Sequence, residues 1–310
     1  MKIAILGAGA MGSLFGGLLA EQNQDVTLLD INEAHLSAIR TQGLILETHG
    51  RRRSLTNLRV SRPDKTESIP ELLMVFTKSF HTRAALSDVS RVMGPDTTVL
   101  TLQNGLGNVE LLREFVSLEQ IVVGMTTWPA DMSRPGAVSS HGAGKIRLMS
   151  ADGIARPGVE AIAALLNAAG LQCSVDPNVW SAIWEKVAFN AALNSLCAVT
   201  GCSVDGIAAV PGGLILARAI VGEVLAVAQA KGIDTDRASC MENVTQAIAK
   251  HVGHQPSMLQ DVLAGRRTEI EGINGAVVRA AREENLQVTH TETLLELVRL
   301  VQARVSGFAG

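Results

Sequence analysis

Lys186, Asn190 and Asn194 recur at four-residue intervals within the apolar stretch "SAIWEKVAFNAALNSLCAV", residues 181–199. Side chains four apart stack on one helical face, so the spacing predicts a single stripe of one ammonium and two amides. In a helix otherwise made of Ala, Val, Leu, Ile and Phe, such a stripe costs desolvation unless something pairs with it. Neighbouring backbone or water could do so. A small polar ligand could do so as well.

A second chemical pattern opens the chain. Gly7, Gly9 and Gly12 form G-x-G-x-x-G between an apolar strand at residues 2–6 and a helix at 11–21. In this arrangement the first glycine permits a tight turn and the second admits a pyrophosphate. The third lets helix and strand pack closely. Ala10 and Met11 lie at the helix start, where free N–H groups and the positive dipole end face the phosphates. The following strand, "DVTLLD", ends at Asp30, about 20 residues after the motif, as a dinucleotide fingerprint requires. A carboxylate there accepts the adenosine ribose hydroxyls and repels a 2′-phosphate. The next residues, "INEAHL", hold no Arg or Lys, and Arg51–Arg53 lie far along the chain. NAD is therefore favoured, with NADP as the alternative.

These residues need elements to position them. Apolar runs at 72–78, 97–105, 120–128 and 145–150 read as strands, and helical patterns at 81–93 and 108–116 separate the earlier ones. The alternation predicts a doubly wound parallel sheet of the Rossmann type, with ligands beyond the carboxyl ends of its strands. Lys78 and Asn104 end two of those strands and are expected to look toward the cofactor. Asp176 and Pro177 mark a change to helices alone, giving a dinucleotide-binding domain over 1–176 and a helical substrate and dimerisation domain over 177–310. In the second part, Ser257 after Pro256 reads as a helix start, and Thr289 or Thr291 as the cap of the last helix. Residues 257–285 read as one helical segment carrying Asp261, Glu269, Glu271 and Asn274. Charge on a long helix usually marks a solvated face.

Composition excludes several classes. The 310 residues are 47% hydrophobic and 18% charged with net charge −3, which suits two folded domains and gives no footprint for nucleic acid or a membrane surface. No uncharged run reaches the ~18–20 residues of a spanning helix. The four cysteines lack C-x-x-C spacing and read as reduced thiols of a cytoplasmic protein. The seven histidines are scattered, so no metal site is expected.

The chain resembles the ketopantoate reductase (2-dehydropantoate 2-reductase) family along nearly its whole length. The likeness rests on "GAGAMGSLFGGLLA", "FTKSFHT", "LQNGLGN", "WEKVAFNAALNSLCAVTG" and "PSMLQDVLAGRRTEIEGING" in order. It implies a helical second domain of the 6-phosphogluconate-dehydrogenase-like type, and reduction of a small 2-oxo acid. By the same resemblance Lys186 is the general acid and Glu269 an active-site carboxylate. Asn190, Asn194 and Ser257 hold substrate, while Lys78 and Asn104 lie by the nicotinamide and substrate. With ~1.5 Å of rise per residue, Lys186 to Asn194 spans about 12 Å, enough to run beside such a substrate.

Departures from the family pattern set further expectations. Ile31 and Asn32 stand where NADP-using relatives typically carry a base. Trp128 stands where relatives often carry histidine, and is expected to reshape the substrate side toward a bulkier 2-oxo acid. NAD-dependent D-2-hydroxyacid dehydrogenases of the wider family, acting on branched or aromatic substrates, share the plan. A cofactor-sensing binding module is the non-enzyme alternative. The apolar C-terminal helices suggest a homodimer.

Overall fold

The computed structural model describes residues 1–305. Its contacts group Met1–Gln103 with Asn108–Val179 as one unit, and Asn104–Gly107 with Trp180–Gly310 as another. Residues 306–310 of the expected second domain lie outside the described residues.

The strands of the first unit are β1 (Lys2–Leu6), β2 (Asp25–Leu29), β3 (Leu44–Thr48), β4 (Arg51–Leu55), β5 (Arg59–Ser61) and β6 (Leu72–Val75). They continue as β7 (Thr98–Thr101), β8 (Ile121–Thr126), β9 (Asp131–Arg134), β10 (Ala137–Ser140), β11 (Ile146–Ser150) and β12 (Cys173–Val175). Eight of them form one sheet in the order β12-β11-β8-β7-β6-β1-β2-β5. From β5 to β8 all neighbours are parallel, β11 is antiparallel to β8, and β12 is parallel to β11. Covered on both faces, central strands such as "LLMV" of β6 are buried throughout, as parallel strands must be. The helices are α1 (Ala10–Glu21), α2 (Glu33–Gln42), α3 (Ser79–Val89), α4 (Asn108–Leu112) and α5 (Pro157–Ala168). Strand order reverses between β1 and β6, and in a doubly wound sheet ligands bind at that switch point.

A second sheet, β4-β3-β10-β9, was not legible in the sequence. Its β4 contains Arg51, Arg52 and Arg53, and the Arg53 guanidinium grips both oxygens of Glu21 on α1. That run is therefore partly used to hold the sheet to a helix.

The second unit contains α6 (Val179–Thr200) from Trp180 onward, α7 (Pro211–Ala230), α8 (Arg237–Lys250), α9 (Ser257–Leu263), α10 (Asn274–Glu283) and α11 (Thr289–Val305). By length and composition alone α7 could cross a membrane. Here it packs against α8, α10 and α11. The expected threonine cap of α11 is replaced by Glu223 of α7. That carboxylate accepts the N–H groups of His290 and Thr291 at 2.9 and 2.8 Å, and the Thr291 hydroxyl at 2.7 Å. The helical segment read over 257–285, for which a bend near Gly265 is one alternative, is broken between α9 and α10, where Gly265 adopts φ +66° and Arg266 turns back to pair with Asp261 at 3.0 Å.

Candidate active site

In the first unit the glycine turn follows β1 directly. Gly7 has φ +95°, and a Cβ there would stand 2.6 Å from the Thr77 nitrogen, so the turns after β1 and β6 touch backbone to backbone. A Cβ at Gly12 would lie 2.0 Å from the Gly7 carbonyl oxygen, while the space beside Gly9 is open. Ala10 and Met11 begin α1 and direct its first N–H groups toward that space. This cradle fits a pyrophosphate.

Asp30 sits one residue past β2, and its Oδ1 accepts the Asn32 N–H at 2.9 Å. The Asp30 N–H donates to Ser61 O at 3.2 Å. The next residue after Ser61 is Arg62, whose Nε lies 3.1 Å from Asp64 Oδ1. Sequence reasoning found no base near Asp30 because β5 is only three residues long and went unread.

Lys78 immediately precedes α3, and its carbonyl accepts His81 N–H at 2.8 Å and the Thr82 hydroxyl at 3.2 Å. Gln103 reaches across from the end of β7. Its amide donates to Thr77 O at 2.5 Å and to Thr82 Oγ1 at 2.8 Å, which fixes the turn carrying Lys78. Glutamine before Asn104 was a visible signal that carried no distinguishing pattern by itself.

The second unit holds the other expected residues. On α6, Asn190 and Asn194 are only 8% and 5% exposed, and Lys186 keeps some accessible surface. Burial among protein atoms lowers the Lys186 ammonium to about 8, and the Glu269 carboxylate opposes that shift. Lys186 and Glu269 are therefore close enough to interact through charge. Glu269 lies in the turn between α9 and α10, whose Gly272 carbonyl accepts the Leu106 N–H at 2.9 Å. Gly105, at φ +85°, approaches so closely that a Cβ would stand 2.2 Å from that same carbonyl oxygen. Asn104 begins this docked segment, so it and Glu269 are carried by touching pieces of backbone. Ser257 opens α9 as expected. An ammonium of lowered pKa, a carboxylate beside it and buried amides on the same helix can protonate an oxygen and hold a small polar acid.

Two expectations are corrected. Trp128 is part of the hydrophobic core, and its indole N–H donates to Leu171 O at 2.8 Å. It packs in the core of the first unit, where it had been expected on the substrate side. Asp261 and Asn274, read as members of a solvated face, are buried. Among the described residues, no group of three or more His, Cys, Asp or Glu is placed to hold a metal.

Comparison with known proteins shows the family. The ketopantoate reductase PanE/ApbA family matches residues 3–153, and the ketopantoate reductase PanE/ApbA C-terminal family matches residues 178–302. The 2-dehydropantoate 2-reductase of Pyrococcus horikoshii is 36% identical over 314 residues, covering 99% of each chain. That of Streptococcus pyogenes serotype M3 is 33% identical over 304 residues, covering 98% of each. Among solved structures, D-mandelate dehydrogenase with NADH and anilino(oxo)acetate matches with a TM-score of 0.94 at 30% identity, covering 98% of this chain and 99% of that one.

Proposed function

This chain belongs to the ketopantoate reductase family, and from that premise we propose that it reduces 2-dehydropantoate (ketopantoate) to pantoate with a nicotinamide cofactor. The observation that carries the chemistry is the lowered Lys186 ammonium facing Glu269. Gly7, Gly9, Ala10, Met11 and Gly12 bind the pyrophosphate, Asp30 the adenosine ribose, and Lys78 and Asn104 serve the nicotinamide end. When bound, the nicotinamide supplies the hydride.

As that hydride reaches the 2-oxo carbon, negative charge develops on the carbonyl oxygen. Lys186 stabilises the charge and delivers its proton there. Glu269 keeps the ammonium protonated despite its burial. Asn190, Asn194, Ser257 and Asn104 share the carboxylate and the distal hydroxyl. A site built to pair a hydroxyl rejects analogues lacking it by up to ~10⁴–10⁵. Initial rates with ketopantoate and 2-oxoisovalerate, which lacks that hydroxyl, test the assignment. Equal kcat/KM for the two would overturn it.

The match to D-mandelate dehydrogenase supports a second reading, an aromatic or branched 2-oxo acid as substrate. Faster reduction of phenylglyoxylate than of ketopantoate would favour it. NADH is the preferred cofactor in our reading, supported by Asp30 and by the NADH in that neighbour. We take 1–176 as the cofactor domain and 177–310 as the substrate and dimerisation domain. Exposed Val210 and Ile215 at the start of α7, the latter 70% exposed, support a homodimer, and light scattering of the purified protein tests it. The free state of Cys173, Cys197, Cys202 and Cys240 supports a reducing, cytoplasmic location.

A further inference from the structure

Asn274 is the first residue of α10 and is 0% exposed. Its side chain is fully engaged with α6. The amide Nδ2 donates to Ala191 O at 3.2 Å, and Oδ1 accepts the hydroxyl of Ser195 at 2.8 Å. Ser195 is itself buried, and its oxygen lies 3.9 Å from the sulfur of Met258, the residue after Ser257. One amide and one hydroxyl thus gather three elements, α6, α9 and α10.

The positions gripped on α6 are informative. Ala191 and Ser195 immediately follow Asn190 and Asn194, so they form a parallel stripe about 100° around the helix from the Lys186 stripe. A hold at two points one turn apart fixes both the rotation of α6 about its axis and its travel along it. The other end of the hold is equally specific. Asn274 directly follows the turn in which Gly272 and Ile273 donate their N–H groups to Glu269 O at 3.0 and 3.1 Å. Asn274 therefore ties the backbone that carries Glu269 to the helix that carries Lys186. Apolar packing alone would leave such a helix free to rotate by small amounts, because dispersion contacts are non-directional. A buried amide with both its groups paired is directional and costly to misplace.

We propose that Asn274, working with Ser195, is a positioning residue for the reduction, setting the angle at which α6 presents Lys186 to Glu269 and to the substrate carbonyl. The proposal rests on the reading of Lys186 as general acid. Neither Asn274 nor Ser195 touches the reacting atoms in this account. Their effect passes through Lys186.

The test is a double-mutant cycle in kcat, measured in single turnovers on the full chain with NADH and ketopantoate. Asn274→Ala and Ser195→Ala are each expected to lower kcat by about tenfold, within the range that small misplacements of a reacting group produce. KM for NADH should hold, and the alkaline fall of kcat should move to lower pH as Glu269 draws away from Lys186. In a Lys186→Met background neither change should lower kcat further. An equal tenfold loss in that background would show a merely structural role and overturn the proposal, as would wild-type kcat in the folded single variants. If Asn274→Ala does not fold, Ser195→Ala decides by the same cycle, since it removes one hydroxyl only. Undiminished kcat in Lys186→Met alone would instead sink the general-acid reading, and this proposal with it.

Discussion

Lys186 must hold a proton to act as an acid, and burial has lowered its ammonium to about 8. Reduction should therefore run at full rate below that value and fall as pH rises through it. A profile of kcat flat from pH 6 to 10, with chemistry limiting, would contradict the assignment. Lys186→Met keeps the stem and volume while removing the charge, and should lower kcat by the ~10²–10⁴-fold of a lost proton donor. Its thermal midpoint should stay near wild type, whereas a lysine that served only the fold would show the reverse. In the proposed reading Asp30 favours NADH, and Arg62, the residue after its backbone partner Ser61, is the nearest base in the sequence to that pairing. Asp30→Ala should narrow the advantage of NADH over NADPH, and Asp30→Ala with Arg62 kept should accept NADPH better than the same change with Arg62→Ala. The Lys186 stripe and the glycine motif were legible because each is a spacing signal within one short continuous stretch of sequence. Gln103 was not, because its role comes from Thr77 and Thr82 on a neighbouring turn.

The elements were readable where they were long and regular. Periodicity located β1, α1, β2 and α11, since each buries one continuous face or run. The second sheet escaped because β4 reads "RRRSL", β9 "DMSR" and β10 "AVSS", none with a strand-like alternation of apolar residues. Its pairing is decided by tertiary contact, which overrides weak local preference. Trp128 was misplaced for a related reason. The sequence shows an aromatic after a strand but cannot show that its indole bonds Leu171 O within the core. Between α9 and α10 the apolar pattern continues past the break, so only Gly265 hinted at the turn that brings Glu269 into place. The segment Asn104–Gly107 gives a direct test at this scale. Gly105→Ala would drive a methyl group into the Gly272 carbonyl and lift Asn104 from the Glu269 turn. A misplacement of about 1 Å can cost ~10²-fold, so kcat/KM for the 2-oxo acid should fall steeply. Unchanged kinetics would show that Asn104 does not depend on this docking.

At the scale of the whole molecule, stability should depend on pH through His35. Its ring is buried, with Nδ1 accepting the Gly136 N–H at 3.0 Å and Nε2 within 3.1 Å of the Ser13 hydroxyl, which donates to Ala8 O at 2.8 Å. One neutral ring thus joins α2, α1 and the turn before β10. Burial holds its pKa below the ordinary value, although Asp30 opposes this. The unfolded chain takes up this proton near pH 6.5 while the folded chain resists it, so unfolding free energy should decline as pH falls through that region. His35→Gln should flatten the decline between pH 7 and 5, and an unaltered slope of thermal midpoint against pH would refute the link. The segment Asn104–Gly107 has a wider consequence. It belongs by packing to the second unit though it lies inside the first in sequence, so the chain passes from unit to unit at 103/104, 107/108 and 179/180. Halves exchanged between two relatives at residue 179 would carry four residues of one parent into contact with the helices of the other. The Gly105–Gly272 fit would then have to be inherited from both parents at once. In this lineage, recombination at the obvious joint is expected to yield folded but poorly active hybrids unless those four residues travel with the helical half.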